Sequence, residues 1–131
     1  MKHLLVLALF IFSSSLLAQS REQHILSILP NGVYNGENCQ VIVGKGFSEF
    51  GVGISINHLN NFGTLVSTGF VLFDESPWTK VIKDLSTEET VDVKVKRNNG
   101  VIQRLVMAQS TVTIEDYKRS RVIQRVSCLL R

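Results

Sequence analysis

The chain has 131 residues and a formal net charge of +3, which is length for a single domain that buries roughly two thirds of its unfolded surface. A charge this close to balance does not by itself mark a nucleic-acid binder, and two cysteines with three histidines are too few for a converging metal-ligand set, so no metal is expected. G-x-S-x-G, G-x-G-x-x-G and P-loop patterns are absent, so no cofactor and no particular reaction is implied.

The N-terminus opens with Met1-Lys2-His3, followed by an apolar run from Leu4 to Phe12 and then Ser13-Ser14-Ser15-Leu16-Leu17-Ala18. A charged start, an apolar stretch too short to span a bilayer and a small exit residue are the requirements of an export signal. Residues 1–18 are therefore expected to be a signal peptide cut after Ala18, and the product to be periplasmic or extracellular, with no transmembrane segment in the mature chain. From 19 to 31 a polar and then apolar stretch ends at Pro30-Asn31-Gly32, which reads as a tail or one loose helical turn. Residues 32–131 form the expected β domain.

In Gly32 to Val43, Cys39, Val41 and Val43 fall on one face of a strand, and in Val122 to Leu129 so do Val122, Val126 and Cys128. Cys39 and Cys128 are the only possible intramolecular pair, and an oxidising compartment lets them join. A bridge there would clamp the first strand to the last. Phe50, Val52, Ile54 and Ile56 alternate with Gly51, Gly53, Ser55 and Asn57, the signature of a half-buried strand. Thr64 to Phe73 reads as another strand, kinked at Gly69. Ser76-Pro77-Trp78 is a good helix start, and Trp78, Val81, Ile82 and Leu85 recur at helical spacing. A short amphipathic helix is favoured there over a strand through Lys80-Val81-Ile82-Lys83, which the β-branched pair would suit. Val91, Val93 and Val95 alternate up to Asn98-Asn99-Gly100, a strong hairpin signal. A three-residue loop with Gly100 left-handed puts Val91 opposite Met107 and Val93 opposite Leu105, and is favoured over a two-residue loop that puts Val93 opposite Val106 and Val95 opposite Arg104. Thr111 to Glu115 and the last strand follow. The expected fold is all-β: an antiparallel meander of seven to eight strands, closed as a small barrel or compact sandwich, with one short helix and one disulfide.

The acid pairs Asp74-Glu75, Glu88-Glu89 and Glu115-Asp116 sit in turns or at strand ends, where solvated acids are the default. Basic residues crowd the C-terminal part: Lys94, Lys96, Arg97, Arg104, Lys118, Arg119, Arg121, Arg125 and Arg131, against Glu115 and Asp116. Lys94, Lys96, Arg104, Arg121 and Arg125 are the candidates for a basic face able to attract anionic lipid, an acidic protein or nucleic acid. Tyr117 is the one aromatic residue in that span, so base stacking finds little support.

Gly32-x-Tyr34 at the entry to the first strand, antiparallel strands after it and arginines in the last strand resemble the lipocalin-like barrels of the calycin superfamily, with tyrosine where those proteins carry tryptophan. Arg121 or Arg125 would take the place of the arginine packed over it. Small exported bacterial proteins with a cysteine soon after a G-x-Y-x-G start, here Gly32, Tyr34, Gly36 and Cys39, are similar too. The favoured reading is a monomeric, disulfide-closed, all-β exported domain that acts by binding. Its ligand would be a small apolar molecule if the interior is open, lined by Phe50, Val52, Ile54, Val93 and Leu105, or a protein partner if the interior is filled. The alternatives are a small exported hydrolase and an interaction protein that applies its basic face to an anionic surface.

Overall fold

A computed structural model of the chain describes residues 20–44, 51–72 and 79–131. The leader read over 1–18, Phe50 and the 76–78 start of the expected helix lie outside those residues. Nine strands and one helix are assigned among the described residues: α1 (Arg21–Ile28), β1 (Gly32–Asn35), β2 (Cys39–Gly44), β3 (Val52–Leu59), β4 (Leu65–Leu72), β5 (Thr79–Asp84), β6 (Val91–Arg97), β7 (Ile102–Met107), β8 (Thr111–Lys118) and β9 (Arg121–Leu129). They form two antiparallel meanders, a four-stranded sheet in the order β1-β2-β3-β4 and a five-stranded sheet in the order β5-β6-β7-β8-β9.

The inward faces are those that alternation selects. Val41, Val43, Val52, Ile54, Ile56, Phe70 and Leu72 from the first sheet meet Val91, Val93, Val95, Leu105, Met107, Val112 and Ile114 from the second in one buried cluster. Gln103 of β7 reaches the Gly69 carbonyl, Gln124 of β9 reaches the Thr68 hydroxyl, and the Arg97 guanidinium of β6 lies over the Phe70 ring. Thr68, Gly69 and Phe70 of β4 thus meet β9, β7 and β6 of the other sheet in turn.

The architecture is a compact sandwich, not one sheet closed on itself. Cys39 of β2 and Cys128 of β9 are bridged, with their Cα atoms 5.8 Å apart and 89 residues of sequence between them. The bridge therefore staples one sheet to the other. Beside it, Gly36 and Leu130 form an isolated antiparallel bridge, the Glu37 amide donates to the Leu129 carbonyl and the Arg131 amide to the Asn35 carbonyl. In the chain-entropy model a loop this long contributes about 4 to 5 kcal/mol. Gly36 is required at this corner, because a Cβ on it would lie 2.5 Å from both Cys128 Sγ and the Leu129 carbonyl oxygen and 2.7 Å from Cys39 Sγ.

Four local expectations are corrected. The stretch 32–43, read as one strand, is a hairpin in which β1 pairs antiparallel with β2 across a turn where Asn38 takes positive φ, so Cys39 lies on the second strand and the described strands number nine rather than seven or eight. The stretch read as a helix runs as β5 over Thr79–Asp84, paired with β6. Its register slips between Val81 and Lys83. The extra residue, Ile82, breaks strict alternation, so Val81, Ile82 and Leu85 acquire a helix-like spacing on a strand that β-branched residues favour. The segment read as a tail is instead α1. Ser20 and Gln23 close a capping box, Oγ accepting from the Gln23 amide at 3.1 Å and Oε1 from the Ser20 amide at 3.3 Å. Ile25, Ile28 and Leu29 enter the core, and the His24 ring bonds the Thr90 carbonyl, so α1 covers the end of the sandwich where β6 starts. Finally, Val122 does not share the inward face of Val126 and Cys128. Pairing shifts from Asp116 with Gln124 to Tyr117 with Val122, and the extra residue Ile123 turns Val122 outward, 45% exposed. The β6–β7 register is the expected one, with Val91 opposite Met107 and Val93 opposite Leu105.

Candidate anion-binding face

Strand pairing carries one row of side chains straight across the outer face of the second sheet: Lys83 opposite Lys94, Lys94 opposite Arg104, Arg104 opposite Glu115, and Glu115 opposite Arg125. The next row begins with Lys80 opposite Lys96. All of these project outward because their neighbours Val93, Val95, Leu105, Ile114 and Val126 project into the core. The structure therefore brings Lys94, Lys96, Arg104 and Arg125 to one surface. Arg121 stands at its end, paired with Lys118 in the β8–β9 turn, where Arg119 and Ser120 take positive φ.

Among the described residues Asp92 and Glu115 are the carboxylates of this face, and both are committed to its arginines. Arg104 makes a two-pronged contact with Asp92, Nε to Oδ1 at 2.9 Å and Nη2 to Oδ2 at 2.8 Å, and its Nη1 lies 3.5 Å from Glu115 Oε1. Arg125 donates to Glu115 Oε2 from Nε at 2.9 Å and Nη2 at 2.7 Å, and the Tyr117 hydroxyl donates to the same oxygen at 3.0 Å. Glu115 is 3% exposed. Burial pushes its carboxyl up, but the Arg125 and Tyr117 hydrogen bonds and the charges of Arg125 and Arg104 outweigh that and hold it below its ordinary value. Hydrogen bonding from Arg104, with its charge, likewise holds Asp92 low, and the Asp92 bond pushes Arg104 up.

With both acids occupied, Lys80, Lys83, Lys94, Lys96, Lys118, Arg119 and Arg121 have no ion-pair partner among the described residues. Lys94 extends over the Tyr117 ring, 5.1 Å from its centroid, a modest attraction. Like charges directly opposite on a sheet are destabilising, yet Lys80 faces Lys96 and Lys83 faces Lys94. Ile82, Val122 and Ile123 are exposed near the ends of the same sheet.

The other expected site residues lie elsewhere. Val52, Ile54, Val93 and Leu105 are at most 1% exposed within the packed core. They line none of the surface grooves bounded by described residues at α1, β9 or the β6–β7 turn. The His58 ring nitrogen lies 3.3 Å from Thr68 Oγ1, which also accepts from Gln124. Thr68 is itself buried, so this pair offers no accessible nucleophile. Among the described residues no three His, Cys, Asp or Glu side chains are grouped to hold a metal. Sequence reasoning missed Lys80 and Lys83, because a helix assignment separates them from Lys94 and Lys96. It also missed Phe62, which is 91% exposed at the β3–β4 tip, where Asn60 Oδ1 accepts from the Phe62 and Thr64 amides.

In comparisons with protein-family models, curated proteins and solved structures nothing matches this chain, so the reading of its surface rests on geometry and charge.

Proposed function

We propose that this is an exported binding protein that applies the outer face of its second sheet to an anionic lipid surface. The observation that carries the reading is the cation excess on that face: among the described residues its two carboxylates are spent on Arg104 and Arg125, while four lysines stand in facing pairs on β5 and β6. An open, broad array of flexible lysines suits a layer of headgroups better than one deep ligand site. Exposed Ile82, Val122 and Ile123 add apolar contact at its margin. The filled interior favours a surface partner over an enclosed apolar ligand. The disulfide, at home in an oxidising compartment, agrees with export.

The test is partition onto phosphatidylcholine vesicles prepared with and without phosphatidylglycerol. Binding is expected only to the anionic vesicles, and each of Lys80→Gln, Lys83→Gln, Lys94→Gln and Lys96→Gln is expected to weaken it about fivefold, the equivalent of ~1 kcal/mol per cation near such a surface. Equal affinity for both vesicle types would overturn the reading.

A second reading, a protein partner, draws on a different surface. A groove of about 490 Å³ beside β9 is lined by Glu37, His58, Leu59 and Gln124 among others, and the exposed Leu59, Phe62 and Leu65 belong to the β3–β4 hairpin next to it. An apolar tip beside an edge strand is the chemistry of a protein contact. If binding to anionic vesicles fails, this surface becomes the leading candidate.

A further inference from the structure

The end of the second sheet that carries the β6–β7 turn holds a cation unlike the lysines of the outer face. Arg97 points inward and is fixed on three sides. Its guanidinium carbon stands 5.0 Å from the centroid of the Phe70 ring, its Nε donates to Gln103 Oε1 at 2.8 Å and its Nη1 to Thr79 Oγ1 at 3.1 Å. Gln103 cannot swing away, because its amide nitrogen donates both to Asp116 Oδ1 at 2.8 Å and to the Gly69 carbonyl at 3.1 Å.

This arrangement interposes a neutral amide between Arg97 and the nearby carboxylate. Asp116 acts on Arg97 across Gln103, but no carboxylate forms an ion pair with Arg97 among the described residues. Burial disfavours its charge, with the Asp116 charge opposing. Nη2 makes no hydrogen bond to a described residue, and among the described residues no fully buried side-chain nitrogen is left unsatisfied, so Nη2 is not sealed from solvent. A notch of about 440 Å³ lies there, lined by Thr79, Arg97, Asn98 and Asn99. Asn99 Oδ1 accepts from the Val101 amide, which leaves its side-chain Nδ2 as a donor. Register puts this turn and the basic Lys118–Arg121 turn at the same sheet end, since Ile102 faces Tyr117.

A half-buried guanidinium already oriented by an aromatic face and two acceptors, with an open donor and no counter-charge in contact among the described residues, has the makings of a receptor for a planar or tetrahedral oxyanion. Several donors around room for more than one small group favour the tetrahedral kind. We propose that the Arg97 notch binds a single phosphate group, held by Arg97 Nη2 with Asn98 and Asn99 beside it. The phosphate could belong to a lipid headgroup or be free in solution. The site extends the lipid reading and does not depend on it, since a soluble phosphate can fill it whether or not the lysine face meets a membrane.

The experiment is a titration of the folded protein, at low and constant ionic strength, with inorganic phosphate and separately with glycerol 3-phosphate up to about 100 mM. It follows the Arg97 Nε–Hε and the Gln103 and Asn99 side-chain amides by NMR. A saturable shift confined to these groups is expected. Saturation with inorganic phosphate assigns a free-phosphate site, and saturation only with glycerol 3-phosphate assigns a headgroup site. Arg97→Lys, which keeps the charge and loses the fork, is expected to weaken binding about tenfold, and Arg97→Gln to abolish it. The absence of a saturable shift at Arg97 in the native protein overturns the proposal. So does an equal response in Arg97→Lys, which would place the anion on surface cations.

Discussion

Glu115 is the residue on which the basic face turns. It is a buried carboxylate in the middle of an outward row of cations, and it stays ionised because Arg104, Arg125 and Tyr117 converge on it. Removing its charge leaves two arginines and a tyrosine hydroxyl facing an amide. Glu115→Gln is expected to cost about 2 kcal/mol, read from chemical denaturation, since breaking a buried charge pair leaves its partners uncompensated while both arginines retain access to water. The same network sets the response to acid. Glu115 and Asp92 are both held below their unfolded values, so the native state binds fewer protons than the unfolded one in the acid range. Their stabilisation is complete above about pH 4 to 5, the unfolded carboxylate range, and is lost as pH falls through the lower folded values. Denaturation midpoints measured from pH 7 to pH 2 should stay level and then drop, with a shallower fall in Glu115→Gln. A midpoint that rises on acidification would contradict this.

Among the elements, α1 and β5 show how local signals mislead. The capping box at Ser20 and Gln23 is written plainly in the sequence, but the eight residues of α1 fall short of the length at which a helix stands alone, so its stability comes from packing that only the folded sandwich supplies. Ile25, fully buried, is the anchor. Ile25→Ala is expected to cost about 3 kcal/mol, measured by urea unfolding, whereas an α1 that merely frayed at the surface would lose almost nothing. In β5 the bulge at Ile82 imitates helical spacing, and only pairing with β6 resolves it. The β6–β7 hairpin, by contrast, was legible, because valine alternation and Asn98-Asn99-Gly100 mark both strands and the turn, and pairing then selects the favoured three-residue loop over the two-residue one. Gly100 does take the positive φ that the loop requires. At the stapled corner, Gly36→Ala would force a methyl group against two sulfurs and a backbone carbonyl. A loss of about 2 to 3 kcal/mol is expected, with slower or incomplete formation of the Cys39–Cys128 bridge on oxidative refolding.

At the scale of the whole molecule, the pairing of Cys39 with Cys128 and the all-β class followed from residue patterns. The division into two sheets did not, since alternation gives each strand a face but not the layer it joins. The candidate site was half legible: Lys94, Lys96, Arg104, Arg121 and Arg125 stand out as an excess of charge, while Lys80, Lys83 and the commitment of Asp92 and Glu115 emerge only from cross-strand register. The fold turns those scattered cations, apart from Arg121 in the turn at its end, into one surface, with the disulfide and α1 bracing the sandwich behind it. The central claim is that this surface meets anionic lipid through charge. Its most direct test is partition onto phosphatidylglycerol-containing vesicles as sodium chloride is raised from about 20 to 500 mM, which shortens the screening length from about 20 Å to under 5 Å. Affinity that falls steeply with salt, and less steeply in a Lys80→Gln, Lys83→Gln, Lys94→Gln, Lys96→Gln variant, is the expected result. Affinity that is flat across that range, or unchanged by the four substitutions, would contradict it.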